Sequence, residues 1–461
     1  MLKKHSKIKF FIITIIAMLG VLLCVCPFSI PYSMDTFNGF VPAINKGIEL
    51  GGGVEAVYSC QLKNGETATL EASTKAAADK IYGLYSQLSY SELYVNILGE
   101  DKIQLVMSHE ARVADEIYDY LQDAKEFSMT LTEASDSVSP EKFVVAKDVK
   151  SVRADYDYEA SSYGIRVNFT EEGIKNIERM KKTAEKEEKE TVYIYVGQPS
   201  SANLIASLEV GEISDGMLIT SSSYSNDVTT LEACHNIIAG SLNVSLEKEG
   251  VHAISPTLGV NANIYIAIAL GVIIVASIVL VCFRYGHLGL LGSLAMVFYL
   301  VLFAFLLQAI PFVTLNLTGV VACVVAYLIA LVSSCYIFEK IREEYAVGKK
   351  IHISCKSAFK KALWPIIDSH VAGILAAICI WIFAPAGVTI FGVVMFVGLM
   401  LSLVINLGVL RWFVYLYLPI NSSKAKPLHL YREKGVKEIK DEVEIIPEDQ
   451  VNSQIMEGEN E

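Results

Sequence analysis

The chain has 461 residues, 53% of them hydrophobic and 19% charged, with a formal net charge of −12. That balance excludes a nucleic-acid surface, which would show a basic stripe. Of nine cysteines only Cys60 and Cys234 lie in the long polar region after the first apolar run, which is too few for a disulfide framework, and a single bridge between them is not expected. No Cys/His cluster has zinc spacing, no phosphate loop occurs, and no nucleophile, base and orienter are gathered, so nothing points to an enzyme, a metal or a cofactor.

Uncharged apolar runs of about 18 residues or more are read as membrane spans. Six occur, near 10–31, 263–282, 289–311, 315–337, 371–391 and 393–410. The first follows Lys3, Lys4, Lys7 and Lys9, which also suits a signal peptide. Its apolar core exceeds the roughly 7–15 residues of a signal sequence, no A-x-A site follows, and Leu23 stands where a lipoprotein signal needs a small residue before Cys24. An uncleaved anchor is the reading. The lysines put the N-terminus in the cytoplasm, residues 32–262 outside, and the 339–365 loop and C-terminal tail inside. Lys340, Arg342, Lys349, Lys350, Lys356, Lys360 and Lys361 in that loop agree independently.

The external part opens on Gly47-Ile48-Glu49-Leu50-Gly51-Gly52-Gly53, whose glycines allow a turn or close approach. An alternating strand VEAVYSCQL, a helix near 74–88, strands 92–98 and 103–107 around Gly99-Glu100-Asp101, a helix near 110–123 and a strand near 127–132 follow. That β-α-β-β-α order reads as a ferredoxin-like base, residues 32–133. After the turn-rich EASDSVSPEK, a head unit within 134–262 carries strands 150–157, 164–169, 192–197, 204–209 and 217–220, a charged helix from Glu171 to Lys189 and a helix 229–240. The charged helix reads as a solvated face. Thr257-Leu258-Gly259 leads back to a five-span membrane part, 263–420, and the acidic tail 421–461 reads as disordered.

Four segments, in order, resemble SecD, the six-span membrane subunit that assists bacterial Sec protein export. Gly47-Ile48-Glu49-Leu50-Gly51-Gly52 resembles the family's G-[LI]-D-L-x-G-G, with Glu49 for Asp. Thr257-Leu258-Gly259 resembles its S-L-G, and Phe283-Arg284 its Y-R. Ile337-Phe338-Glu339-Lys340-Ile341-Arg342-Glu343-Glu344 is nearly the family's I-F-E-R-I-R-E-E. Ala358-Phe359-Lys360-Lys361-Ala362 and Ile367-Asp368 resemble its A-F-x-R-A and L-D, and Gly398, Ser402 and Arg411 match the spacing in the last span. The resemblance implies a membrane α-helical fold like that of resistance-nodulation-division transporters, an external α+β domain, a SecF-like six-span partner, contact with Sec channel subunits and translocating polypeptide, and proton-driven assistance of export.

Proton coupling needs a titratable group inside the membrane, where a charge is expensive and therefore functional by default. In SecD that group is an Asp in the fourth span, within A-V-D-A-N. Here the aligned stretch is Ala330-Leu331-Val332-Ser333-Ser334, so Val332 stands for the Asp and Ser334 for the Asn. Valine binds no proton. The serines either hydrate a path or bond their own backbone and pack helices. Asp368 and His370, with His370 in place of an Asn, either feed protons inward or, for Asp368, cap the start of the fifth span. Arg411 reads as snorkelling to the interface and Asn406 as an interhelical hydrogen bond. The segment from Phe338 to Trp364 reads as an interfacial helix pair touching anionic lipid or the channel subunits. A divergent SecD is the leading expectation, with a non-energised scaffold or chaperone-like module and a lipid or small-solute exporter as alternatives.

Overall fold

A computed structural model describes residues 2–29, 36–63, 68–87, 92–108, 115–134, 140–157, 161–221, 227–310, 313–421 and 425–432. The tail beyond 432 lies outside these. Helix α1 (Leu2–Val25) leads through a ladder of β1 (Phe28–Ser29) and β2 (Thr36–Phe37) to the short α2 (Ile48–Gly51), which holds the glycine motif. Then come β3 (Gly53–Leu62), α3 (Leu70–Gln87), β4 (Leu93–Leu98) and β5 (Lys102–Ser108), followed by β6 (Phe127–Thr130), β7 (Lys142–Val145), β8 (Val149–Asp157) and β9 (Ser162–Phe169). The domain continues with α4 (Glu171–Lys186), β10 (Thr191–Val196), β11 (Leu204–Glu209), β12 (Met217–Thr220), α5 (Asp227–Ser241) and β13 (Val244–Ile254).

Strand pairing departs from the sequence reading at one point. The ferredoxin-like sheet has the order β13-β3-β5-β4, every neighbour antiparallel. Its second helix and last strand are therefore α5 and β13, not residues 110–132. Within the expected 110–123 helix, the described part holds only a 3₁₀ turn, Asp115–Tyr118. Strand β6 instead sits inside a second sheet, β11-β10-β6-β7, and a third sheet is β12-β9-β8. The reason is visible in burial: all four residues of β6 are buried, as a strand covered on both faces requires, whereas β3 alternates. The head is thus nested inside the base rather than following it, and one continuous apolar core, including Tyr58, Ile81, Leu105, Met129, Val167, Ile194 and Ile237, runs through both.

The start of β3 shows why the motif ends in glycine. Gly52 has φ +76°, and a Cβ there would lie 2.4 Å from the Ile254 carbonyl of the neighbouring β13. Only glycine enters that conformation without strain.

Six helical segments are long and apolar enough to cross a membrane. They are α1, α6 (Ala262–Tyr285), α7 (His287–Ala309), α8 (Leu317–Ala346), α9 (Ile351–Phe383) and a composite last span, in which α10 (Ala386–Val404) passes through a π-helical turn, Ile405–Val409, into α11 (Leu410–Asn421). The loop expected at 339–365 shrinks to residues 347–350, because α8 runs on to Ala346 and α9 starts at Ile351. At 33 residues α9 is about 50 Å long, well beyond a hydrocarbon core, so its basic first turns project past the apolar part. Small residues bring the helices together: a Cβ on Gly398 would meet the Ala326 Cβ at 2.5 Å, fixing the α8–α10 approach.

One buried base stands in the extramembrane core. His235 on α5 lies between the rings of Tyr85 and Tyr120, its Nδ1–H donating to the Leu231 carbonyl at 2.6 Å, and Nε2 has no partner among the described residues. Burial pushes it down to about 4. Because the folded state binds this proton less tightly than the unfolded one, stability is present above about pH 6.5 and falls by about 3 kcal/mol as pH drops towards 4. His235→Phe should remove that slope in the exchange protection of the β3 and β13 amides.

Candidate functional site

Inside the membrane part, four helical segments meet at a buried polar chain. Ser334 on α8 donates to Asn406 Oδ1 at 2.6 Å. Asn406, on the π turn, donates through Nδ2 to the Ala330 carbonyl at 3.1 Å, to the Ser402 carbonyl at 3.1 Å and to Ser402 Oγ at 3.2 Å. Ser402 Oγ in turn is 2.9 Å from His370 Nε2 on α9, whose Nδ1 lies 2.8 Å from the Ile366 carbonyl. All four side chains are buried. The π turn, with one extra residue per turn, aims Asn406 inward; such turns recur at functional sites. Every donor and acceptor in the chain has a partner, as a hydrocarbon setting demands.

The structure separates the other residues from this chain. Val332 is 65% exposed, on a stripe with Leu317, Val321 and Leu328 that faces away from the bundle. Ser333 bonds its own helix at the Ile329 carbonyl, 2.9 Å away. Asp368 is exposed and does not cap α9, which begins 17 residues earlier at Ile351 after the N-cap Lys350. The helix passes through Pro365 without ending.

The segments that resemble a family meet at the two ends of α8. At the end near Tyr345, Phe338 is fully buried against Tyr285 of α6. Glu339 accepts from Arg284 at 2.9 Å, from the Tyr285 hydroxyl at 3.0 Å and from Arg342 at 3.3 Å. Glu344 accepts from Lys361 of α9 at 2.6 Å and from Lys349. Arg411 on α11 stands over the rings of Phe359 and Tyr415. At the other end, Glu49 of α2 accepts the Leu317 N–H at 2.9 Å, and Asn316 caps α8 through the Gly319 N–H at 2.9 Å. The Gly47 N–H donates to the Leu315 carbonyl at 2.9 Å and the Leu315 N–H to the Asn45 carbonyl at 2.7 Å. Sequence reasoning missed Glu92 and Asn316 in this joint; neither stands in a motif.

No family model matches the chain. Its fold superposes on a crystal structure of SecDF in a super-membrane-facing form with a TM-score of 0.66 and 21% identity, over 89% of this chain and 57% of that one. The architecture is therefore that of a SecDF-type membrane protein, with a large α+β domain inserted between the first and second of six spans. Among curated relatives, the protein translocase subunit SecD of Dictyoglomus turgidum is 26% identical over 390 residues, 83% of this chain and 92% of its own length. That of Dehalococcoides mccartyi is 32% identical over 206 residues, 43% of this chain and 45% of its own, and that of Acidaminococcus fermentans 22% identical over 386 residues, 83% and 88%. Over most of its length the chain is thus similar to curated proteins named protein translocase subunit SecD.

Asn406→Ala, which removes the hub of the buried chain, is expected to destabilise the helix bundle by about 1–2 kcal/mol, and Ser333→Ala by less than about 0.5 kcal/mol. Unfolding in mixed micelles titrated with SDS measures both.

Proposed function

We propose that the chain is an auxiliary subunit of the Sec protein translocase, assisting export or release of polypeptides at the outer face of the cytoplasmic membrane beside a SecF-like six-span partner. The observation that carries this reading is the near full-length match to relatives named protein translocase subunit SecD, 92% of the length of the Dictyoglomus turgidum protein, on a chain with six helices long and apolar enough to cross a membrane. In this reading residues 32–262 are extracytoplasmic and both termini cytoplasmic, as the lysine distribution indicates.

Two features favour a partner half. The stripe Leu317, Val321, Leu328 and Val332 is open along α8, a helix otherwise packed on α7, α9 and α10. Asp368, in the apolar α9, has no cation among its described contacts, and a carboxylate at such a place calls for water or a partner's polar group. The part of the SecDF chain that this chain does not match leaves room for that half.

Val332 holds no proton, so coupling rests on an acidic residue of the partner, with Asp368 and His370 as this chain's candidates. An Asp→Asn change in the partner's matching span should abolish proton-dependent stimulation of export in a pulse–chase assay, and Val332→Asp should restore part of it. Stimulation that persists in the partner mutant defeats the coupling. The rival reading, a non-energised chaperone-like module, is favoured by the fully bonded state of the His370 chain. It requires stimulation that survives collapse of the proton gradient.

Polypeptide would meet the head. Among the described strands β11 is a sheet edge, where a strand could add, beside a groove lined by Lys125, Asn203, Thr229 and Glu232. A photo-crosslinker at Ile205 should capture an arrested secretory chain; no adduct there would remove β11 as the contact.

A further inference from the structure

The joint between the extramembrane sheet and the membrane helices closes on a carboxyl group. Glu92, just before β4, is 2% exposed, and its Oε2 accepts the Ile48 N–H at the start of α2 at 2.5 Å. The side chain of Asn316, the N-cap of α8, hydrogen-bonds the same group. A Cβ on Gly47 would lie 2.4 Å from Oε2 and 2.6 Å from Oε1, so the first glycine of the motif is the cradle in which this carboxyl sits. Asn316 also donates to the Gly387 carbonyl at 2.9 Å, at the beginning of α10. Three parts of the molecule thus touch one another through a single side chain and its first neighbours.

The charges around it favour a neutral form. Glu49 faces it from α2 as a like charge, and Tyr94 from its own strand. The start of α8 offers the neutral Asn316 and the start of α10 the backbone at Gly387. Lys46 carries its Cβ against Gly51, and no cation is among Glu92's described contacts. A buried carboxylate beside another, with only neutral donors, prefers to hold a proton. Burial, opposed by the Ile48 N–H and Asn316 and reinforced by Glu49, holds Glu92 above the ordinary glutamate range.

We propose that Glu92 is a proton-sensitive clasp joining the extramembrane domain to the starts of α8 and α10, closed most firmly when its carboxyl is protonated. The docked group binds its proton more tightly than a solvated glutamate. The clasp is therefore at full strength below the ordinary glutamate range and weakens as pH rises through the raised one. Acidification of the compartment that bathes the domain locks it to the helices. This holds whether or not the chain serves protein export.

Amide hydrogen exchange of the full chain in lipid nanodiscs, corrected for intrinsic rates, tests it between about pH 4.5 and 8 on peptides covering 46–50 and 314–318. In the wild type their protection should be lost progressively as pH rises above the ordinary glutamate range, while β3–β5 peptides stay level. Glu92→Gln, which keeps an acceptor and no charge, should hold the joint protected at every pH. Gly47→Ala, which fills the cradle, should lower its protection at every pH. A wild-type joint with no slope, a Glu92→Gln variant with the wild-type slope, or a Gly47→Ala joint as protected as wild type overturns the proposal. Should Glu92→Gln also loosen the β3–β5 peptides, the wild-type slope and the Gly47→Ala result decide.

Discussion

The ends of α8 govern this structure. A helix leaves four backbone N–H groups and four carbonyls without partners at its termini, and near a bilayer water is a poor substitute. At one end Asn316 and Glu49 satisfy these donors. At the other, Glu339 and Glu344 gather Arg284, Arg342 and Lys361 onto the last turns. The two ends differ in kind. A side-chain cap is worth about 1 kcal/mol and the exposed Glu339 pairs about 0 to 1 kcal/mol, weakening with salt, whereas Glu344 is buried beneath its two lysines. The capped end is the one that bears the extramembrane domain.

Between those ends the helix divides its polar and apolar duties by face. Ser334 turns into the bundle and shares the hydrogen bonds of Asn406, while Val332, two residues away, turns outward. Val332 is thus on the open face, and the buried polar chain is a separate feature of the interior. None of the interior chain's bonds involves Val332.

What the sequence revealed follows from the range of each interaction. Six spans were legible because a span is a local property, an uncharged run of sufficient length. The pairing of β13 with β3 was not, because a strand's partner is set by register and burial over a separation of more than 180 residues, and the nearer β6 had an equal claim on apolarity. Asp368 looked like a cap because the charged residues before it suggested a loop; α9 continues through them, and through Pro365, as one helix. His370 and Asn406 were visible as polar residues in apolar runs, yet nothing local says that Ser402 stands between them. Glu92 gave no signal at all, since its role exists only where β4, α2 and α8 converge.

The π turn in the last span has a consequence for what lies beyond it. One added residue advances a helix by about 100° around its axis, so everything after Val409 is out of phase with α10. Asn406 points to the bundle's centre, while Arg411, five residues on, reaches the rings of Phe359 and Tyr415 at a different azimuth. The last span is in effect two keyed shafts on one axle, the first aligned to α8 and α9 at mid-membrane and the second to the first turns of α9. Deleting a single residue between Ile405 and Val409 would bring the two into step and leave one of them facing the wrong neighbours.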